Sequence, residues 1–207
     1  MTRQRPSLKL PGTQDLSRFP STRLTPATQL YRVTRTGNGP WHFSSDLRGR
    51  FDLPSPDGTC YLARDMFAAL LEVIGPELPA VSSTFLNDRR IYKVRVPLPQ
   101  RLADLTSRRA AGYSMTAEIG TITPYLIPQA WARALHAAGL DGLAYSVRHD
   151  PSPRRDGVAL FGLAGERRWR RGRPSRLGHE IREALRARCG IRVLGIPRSD
   201  ELAYEGG

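Results

Sequence analysis

Arg50, Tyr61 and Glu72 fall on three consecutive pieces of one short unit, GRFDLPSPDGTCYLARDMFAALLEVIG, at residues 49–75. Arginine presents a planar fork of donors that fits phosphates and carboxylates, so a nucleotide, a nucleic acid or an acidic partner are the ligand classes to consider. Glu72 belongs to an expected helix whose core stripe, Phe67, Leu70, Leu71 and Ile74, keeps i, i+3, i+4, i+7 spacing. It lies off that stripe, beside Asp65, Ala68 and Ala69, a small-residue flank that a ligand or a second backbone can approach closely. Helical spacing alone describes a solvated glutamate equally well.

Other constellations are absent. His42, His136, His149 and His179 show no metal-ligand spacing, and no acidic cluster accompanies them. There is no G-x-S-x-G elbow, no Walker loop and no G-x-G-x-x-G; TGNGP at 36–40 opens no helix and reads as a turn. Cys60 and Cys189 lack C-x-x-C partners, which argues against a disulfide scaffold and for a reducing, cytoplasmic setting. The densest basic run, GERRWRRGRPSR at 165–176, could stack and hold nucleic acid, but reads better as a solvated connection to the last helix.

The elements that must position these residues can be read from pattern. QLYRVTR (29–35) is a strand with Leu30, Arg32 and Thr34 on one face and Tyr31 and Val33 on the other. WHFSS is a short strand, TCYLA a buried one, and Asp65 caps a helix that ends at the Gly-Pro after Ile74. A strand is expected over 89–98, and a helix over PQAWARALHAAG with Gly139 just past its end. Two strands, DGLAYSV and DGVALFG, follow, then an amphipathic helix, SRLGHEIREALRARCG, and a last strand, IRVLGI. The order is that of a mixed α+β sheet rather than a regular doubly wound one.

At 207 residues and 40% apolar composition the chain can hold one sizeable domain, and it has no apolar run long enough to span a bilayer. Lys and Arg total 32 against 19 Asp and Glu, giving +13, nearly all of it arginine. The first residues are charged and Pro-broken, unlike a secretory signal, and residues 1–27 read as an irregular tail that reaches no core.

LYRV, FSSDLRGRFDLP, GTCYLARDMFAALLEVIG and GLDGLAYSVRHDP…GVALFG resemble, in that order, the RES-domain family, named for an Arg, a Glu and a Ser. The resemblance covers residues 28–164 and leaves 165–207 as a basic extension with a helix and a strand, packed on the same domain. It implies an ADP-ribosyltransferase-like mixed sheet core with peripheral helices. It also implies a bacterial toxin that depletes NAD by hydrolysis or phosphorolysis and is held by an Xre-type antitoxin. Carried over, Glu72, Tyr61 and Arg50 are the catalytic residues, with Arg32 and Ser146 as further substrate-binding residues; Tyr145 precedes Ser146 where many members carry Pro or Arg. NAD is the substrate, and no cofactor, metal or membrane is implied. Nucleic acid is not expected as a direct ligand, and a homo-oligomer is compatible.

Cleaving the nicotinamide–ribose bond builds positive charge on the ribose, as in glycoside hydrolysis. On this reading Glu72 faces that cation, Tyr61 stacks on the nicotinamide or ribose, Arg50 and Arg32 clamp the pyrophosphate, and Ser146 donates to an oxygen. Two rivals remain at this stage: transfer of ADP-ribose to a macromolecule, and a non-catalytic, Arg-rich nucleic-acid-binding protein.

Overall fold

Along residues 57–63 side chains alternate between two faces, and both are covered. Cys60 and Leu62 enter one apolar cluster, while Tyr61 and Ala63 border two others on the opposite side. The computed structural model describes residues 8–152 and 156–195. Its elements run β1 (Ser21–Leu24), β2 (Leu30–Arg35), β3 (His42–Phe43), β4 (Asp57–Ala63), α1 (Met66–Ile74), β5 (Ala80–Ser82), α2 (Ser83–Asn87) and β6 (Arg89–Val94). After these come β7 (Gln100–Asp104), α3 (Leu126–Ala137), β8 (Gly142–Tyr145), β9 (Gly157–Leu163), β10 (Gly165–Glu166), β11 (Ser175–Arg176), α4 (His179–Cys189) and β12 (Arg192–Leu194).

Eight strands form one mixed sheet in the order β1-β7-β8-β9-β4-β2-β6-β11. Only β7 and β8 pair in parallel within it, and the connection between them carries α3, as a parallel crossover requires. β4 pairs with β9 along its whole length, from Asp57↔Leu163 to Ala63↔Gly157. On its other side it pairs with β2 at Tyr31↔Ala63 alone, whereas β2 runs fully paired with β6. The sheet is therefore parted between β2 and β4.

One face of the sheet carries two separate apolar clusters. Val33, Leu70, Ile74 and Leu185 belong to the first, beneath α1 and α4. Phe51, Trp131, Leu143 and Phe161 belong to the second, beneath α3. The opposite face is covered by Trp41, Phe43 and Trp169 over Leu30, Cys60 and Leu160. α1 starts as its sequence dictates: the Asp65 carboxylate accepts from the amides of Phe67 (2.9 Å) and Ala68 (3.1 Å). Its inner surface is wider than the apolar stripe alone, because Ala68 and Ala69 are buried with Leu70, Leu71 and Ile74. Phe67 is only half-buried, under the Arg188 guanidinium at 5.2 Å.

Two expectations need correction. The strand expected over 89–98 ends at Val94, ahead of Pro97 and Pro99, which cannot donate to a ladder. The N-terminal residues do reach the core: Leu8, Leu16 and Phe19 are buried around Trp131, whose indole N–H donates to Lys9 O at 2.9 Å, and β1 pairs with β7. Their irregular spacing carries neither helical nor strand period, so pattern could not reveal that they seal α3. Among the described residues no helix is long and apolar enough to cross a membrane, and both cysteines are free thiols.

Phe19 is 2% exposed and its ring centroid lies 6.3 Å from that of Trp131. Phe19→Ala is expected to cost about 3–5 kcal/mol, read as a lowered urea midpoint at unchanged slope. An unmoved midpoint would restore the view of the N-terminal stretch as a tail.

Candidate active site

Tyr61 is the anchor on which the site is assembled. From β4 its hydroxyl accepts from the Phe51 amide (2.8 Å) and donates to Asp52 Oδ1 (2.8 Å). Asp52, fully buried, takes the Gly49 amide on Oδ2 at 2.8 Å. Thr59, two residues along the same face, donates to Phe51 O (2.8 Å) and accepts from the Leu53 amide (3.2 Å). Residues 49–53 are thereby stapled to the central strand. Gly49 is required there, since a Cβ would overlap Asp52 and the Tyr61 hydroxyl.

Gln129 holds the same loop from the other side. Buried on α3, its amide nitrogen donates to Leu47 O (2.8 Å) and Gly49 O (3.0 Å). Leu47 has a left-handed φ of 61°, an unfavourable conformation for a residue with a Cβ. The loop so fixed delivers Arg50, 9% exposed, whose Nη1 donates to Ile122 O at 2.8 Å and whose guanidinium lies 4.6 Å from the Tyr125 ring centre.

Opposite Arg50 stands Glu72, on the α1 flank facing the parted strands. Its Oε2 is buried without a hydrogen-bond partner. Burial raises the Glu72 pKa above the ordinary 4.5, while the charges of Arg50 and Arg148 and the Arg148 amide pull it back. Arg50 is drawn below its usual value, first by burial, yet a guanidinium stays charged. Burial and the Asp52 charge push the Tyr61 hydroxyl well above its usual pKa, and burial and the Glu72 charge do the same to Tyr145.

These side chains line a two-lobed cleft between the two apolar clusters. The larger lobe, about 310 Å³, is bounded by Arg50, Glu72, Tyr125, Tyr145, Arg148 and His149. The smaller, about 130 Å³, lies in the gap between β2 and β4, with Tyr31, Val33 and Ala69 on its wall. Tyr61, Glu72 and Tyr145 are common to both lobes. The structure thus brings Arg50, Tyr61 and Glu72 together, as the sequence reading expected.

Arg32 and Ser146 are placed differently from that reading. Arg32 borders the smaller lobe, but its Nη1 donates to Pro40 O (2.7 Å), His42 O (3.0 Å) and Cys60 Sγ (2.7 Å). Strand alternation turns it to the face of Cys60, away from Tyr61, so it braces the parted strands from behind rather than clamping a ligand. Ser146 is exposed and outside both linings, whereas its neighbours Tyr145 and Val147 border the cleft. Tyr61 lines both lobes while its hydroxyl is engaged by the loop, which leaves the ring as the stacking surface expected of it.

Tyr125, Tyr145, Arg148 and His149 were not singled out in the sequence. His149 packs over Gly75, where a Cβ would overlap the imidazole. Its pKa is lowered by burial and then by Arg148 and Arg50, so it is neutral at neutral pH. The signal for Tyr145 was parity: on a strand whose Leu143 enters the core, residue 145 shares that face and residue 146 does not.

Gln129→Leu removes both bonds to the arginine loop; Gly49 O keeps the Asp52 amide at 3.3 Å, while Leu47 O loses its donor. The expected loss is about 1–3 kcal/mol of stability, with a KM for the substrate raised several-fold and kcat little changed. A fall in kcat alone would show that the loop does not position a binding group.

The model of the RES domain matches residues 29–193, so it includes the basic segment and α4. No curated protein matches the chain. Among solved structures, a chain of the M. tuberculosis MbcT–MbcA toxin–antitoxin complex is similar, with a TM-score of 0.60 and 19% identity over 80% of this chain and 92% of that one. The α+β mixed-sheet fold is the one the motifs implied. With the family model spanning most of its length, the chain belongs to the RES-domain family.

Proposed function

We propose that this protein consumes NAD by cleaving its nicotinamide–ribose bond, as the toxin of a toxin–antitoxin pair. The observation that carries the reading is the convergence of Arg50, Tyr61 and Glu72 on one cleft, with an unpartnered buried oxygen on Glu72. A buried carboxylate oxygen without a donor is costly in the free protein and becomes useful where positive charge develops. In NAD that charge passes from the pyridinium to the ribose as the bond breaks, and Glu72 favours the reaction by stabilising it more strongly on the ribose.

Arg48, Arg50 and Arg148 give the larger lobe an excess of positive charge suited to a pyrophosphate. The smaller lobe, walled by Tyr31, Val33, Tyr61 and Ala69, suits a flat aromatic leaving group. Nicotinamide departs neutral, so its exit needs no strong acid. His149, which lines the larger lobe, is the imidazole available there as a proton acceptor in this reading. Incubation with NAD, with separation of ADP-ribose, ADP-ribose-1″-phosphate and labelled protein, identifies the acceptor; an unchanged NAD pool would refute the reading.

An antitoxin partner also belongs to this proposal, supported by the toxin–antitoxin complex to which the similar structure belongs. Leu47, Leu78 and Leu126, 44%, 39% and 69% exposed, lie within two residues of the cleft-lining Arg48, Pro76 and Tyr125 and offer such a partner an apolar lip.

Glu72→Gln is expected to lower NAD turnover on the order of a hundredfold or more. In the wild type, kcat/KM should fall on acidification at a pH above the ordinary glutamate range. The stability effect has the opposite sign to the activity effect. Because the folded-state pKa is raised, the ionised carboxylate lowers stability as pH rises from the unfolded pKa through the folded one. Glu72→Gln should thus melt no lower than wild type at neutral pH, with any advantage vanishing below the carboxylate range. A destabilised, fully active variant would remove Glu72 from the site.

Arg50→Lys keeps a charge but loses the planar fork and the seat on Tyr125. The expected result is a KM for NAD raised about tenfold or more, at nearly unchanged melting temperature. Wild-type KM in that variant would exclude Arg50 from pyrophosphate binding.

A further inference from the structure

Six arginines and one glutamate are the charged residues of 165–176, a stretch whose composition reads as a solvated connection. The structure instead fixes it as an extended strap across the sheet face opposite the cleft. Its ends are strands: β10 pairs with β3, and β11 extends the main sheet beyond β6. Between them Trp169 sits edge-on to Trp41 and Phe43, with centroids 5.0 and 5.8 Å away. The Trp41 indole donates to Arg170 O (3.1 Å), and the Arg167 amide donates to Trp41 O (2.9 Å). Gly172 lies so close to β6 that a Cβ would stand 2.5 Å from Lys93 O.

That pinning sorts the side chains. Arg167 and Trp169 turn inward, while Arg168, Arg170, Arg171, Arg173 and Arg176 are exposed. None of these five forms an ion pair with a carboxylate among the described residues. The one carboxylate of the strap, Glu166, lies 3.9 Å from His42. Grooves flank the strap: one of about 470 Å³ holds Lys93, Arg95 and Arg170, and the other, of about 520 Å³, holds Arg35 and Arg171.

We propose that this strap docks on the phosphate backbone of duplex DNA without reading its sequence. Single-stranded nucleic acid is held by exposed aromatic platforms, and Trp169, the strap's one aromatic residue, is packed against Trp41 and Phe43. Protein hot spots are Trp, Tyr and Arg side chains desolvated in well-packed pockets, whereas the strap's five outward arginines stand exposed with no exposed aromatic residue among them. A duplex backbone needs only cations at fixed positions. Because residues 165–176 are already ordered, little conformational entropy is lost on binding. The cleft on the other face stays open in the bound state.

The test is fluorescence anisotropy of the full chain with a short labelled duplex of arbitrary sequence, titrated over a range of salt. Each neutralised phosphate contributes about −0.9 to the slope of log K against log salt, so engagement of the five arginines gives a slope of about −4 to −5. Changing Arg168, Arg170, Arg171 and Arg173 together to Gln should weaken binding at least tenfold and flatten the slope by about 3 to 4. Lys93→Gln with Arg95→Gln should weaken it further, and melting temperature and NAD consumption should hold in both variants. Absence of duplex binding at low salt, or unaltered binding by the fourfold variant, overturns the proposal. So does a preference for single strands, or equal competition by polyglutamate. DNA binding is read without NAD, so its failure and that of the catalytic reading are separable.

Discussion

A β-sheet loses ladder hydrogen bonds wherever neighbouring strands part, and those backbone groups must find other partners. Here β2 and β4 touch at Tyr31↔Ala63 only. Arg32 ties the parted strands from behind: from β2 it donates to the Cys60 thiol of β4 and to the carbonyls of Pro40 and His42 at the start of β3. In front, the gap becomes the smaller lobe of the cleft. The two helical clusters stand apart on either side of it, so Glu72 from one and Tyr61, Tyr145 and Arg50 from the other can face a common space.

Within that space polar groups are divided into satisfied and unsatisfied ones. Tyr61 bonds Asp52, and these two, with Thr59 and Gln129, take up backbone groups of residues 47–53 and so hold the loop that carries Arg50. Glu72 is left with one oxygen, Oε2, that no described residue hydrogen-bonds. A network that is complete except at one atom rigidifies its surroundings and concentrates the energetic cost at the reacting position. Loss of a loop-holding residue is thus a different defect from loss of the carboxylate: the first weakens substrate binding, the second slows the chemical step.

Local signals in the sequence were read well where physics is local. The Asp65 cap, the strand read over 29–35 and the left-handed Gly139 (φ 80°) after α3 follow from capping chemistry and periodicity. Arg50, Tyr61 and Glu72 were legible as a group because one continuous unit carries them. Alternation did place Arg32 opposite Tyr31, but a sequence cannot say which face becomes the cleft. Leu8 and Phe19 escaped notice because their burial depends on Trp131, more than a hundred residues away. The strap was misread for a related reason: an arginine-rich composition looks solvated unless the tryptophan that pins it is known to meet Trp41 and Phe43.

The central claim is that Glu72 addresses the nicotinamide riboside and Arg50 the pyrophosphate of one NAD molecule in this cleft. A crystal structure with an uncleavable NAD analogue tests it most directly. The expected density places the nicotinamide riboside against Glu72 and Tyr61 and the pyrophosphate on the side of Arg50 and Arg148. An analogue bound at another surface, or one seated in the cleft with Glu72 still unpartnered, would contradict it.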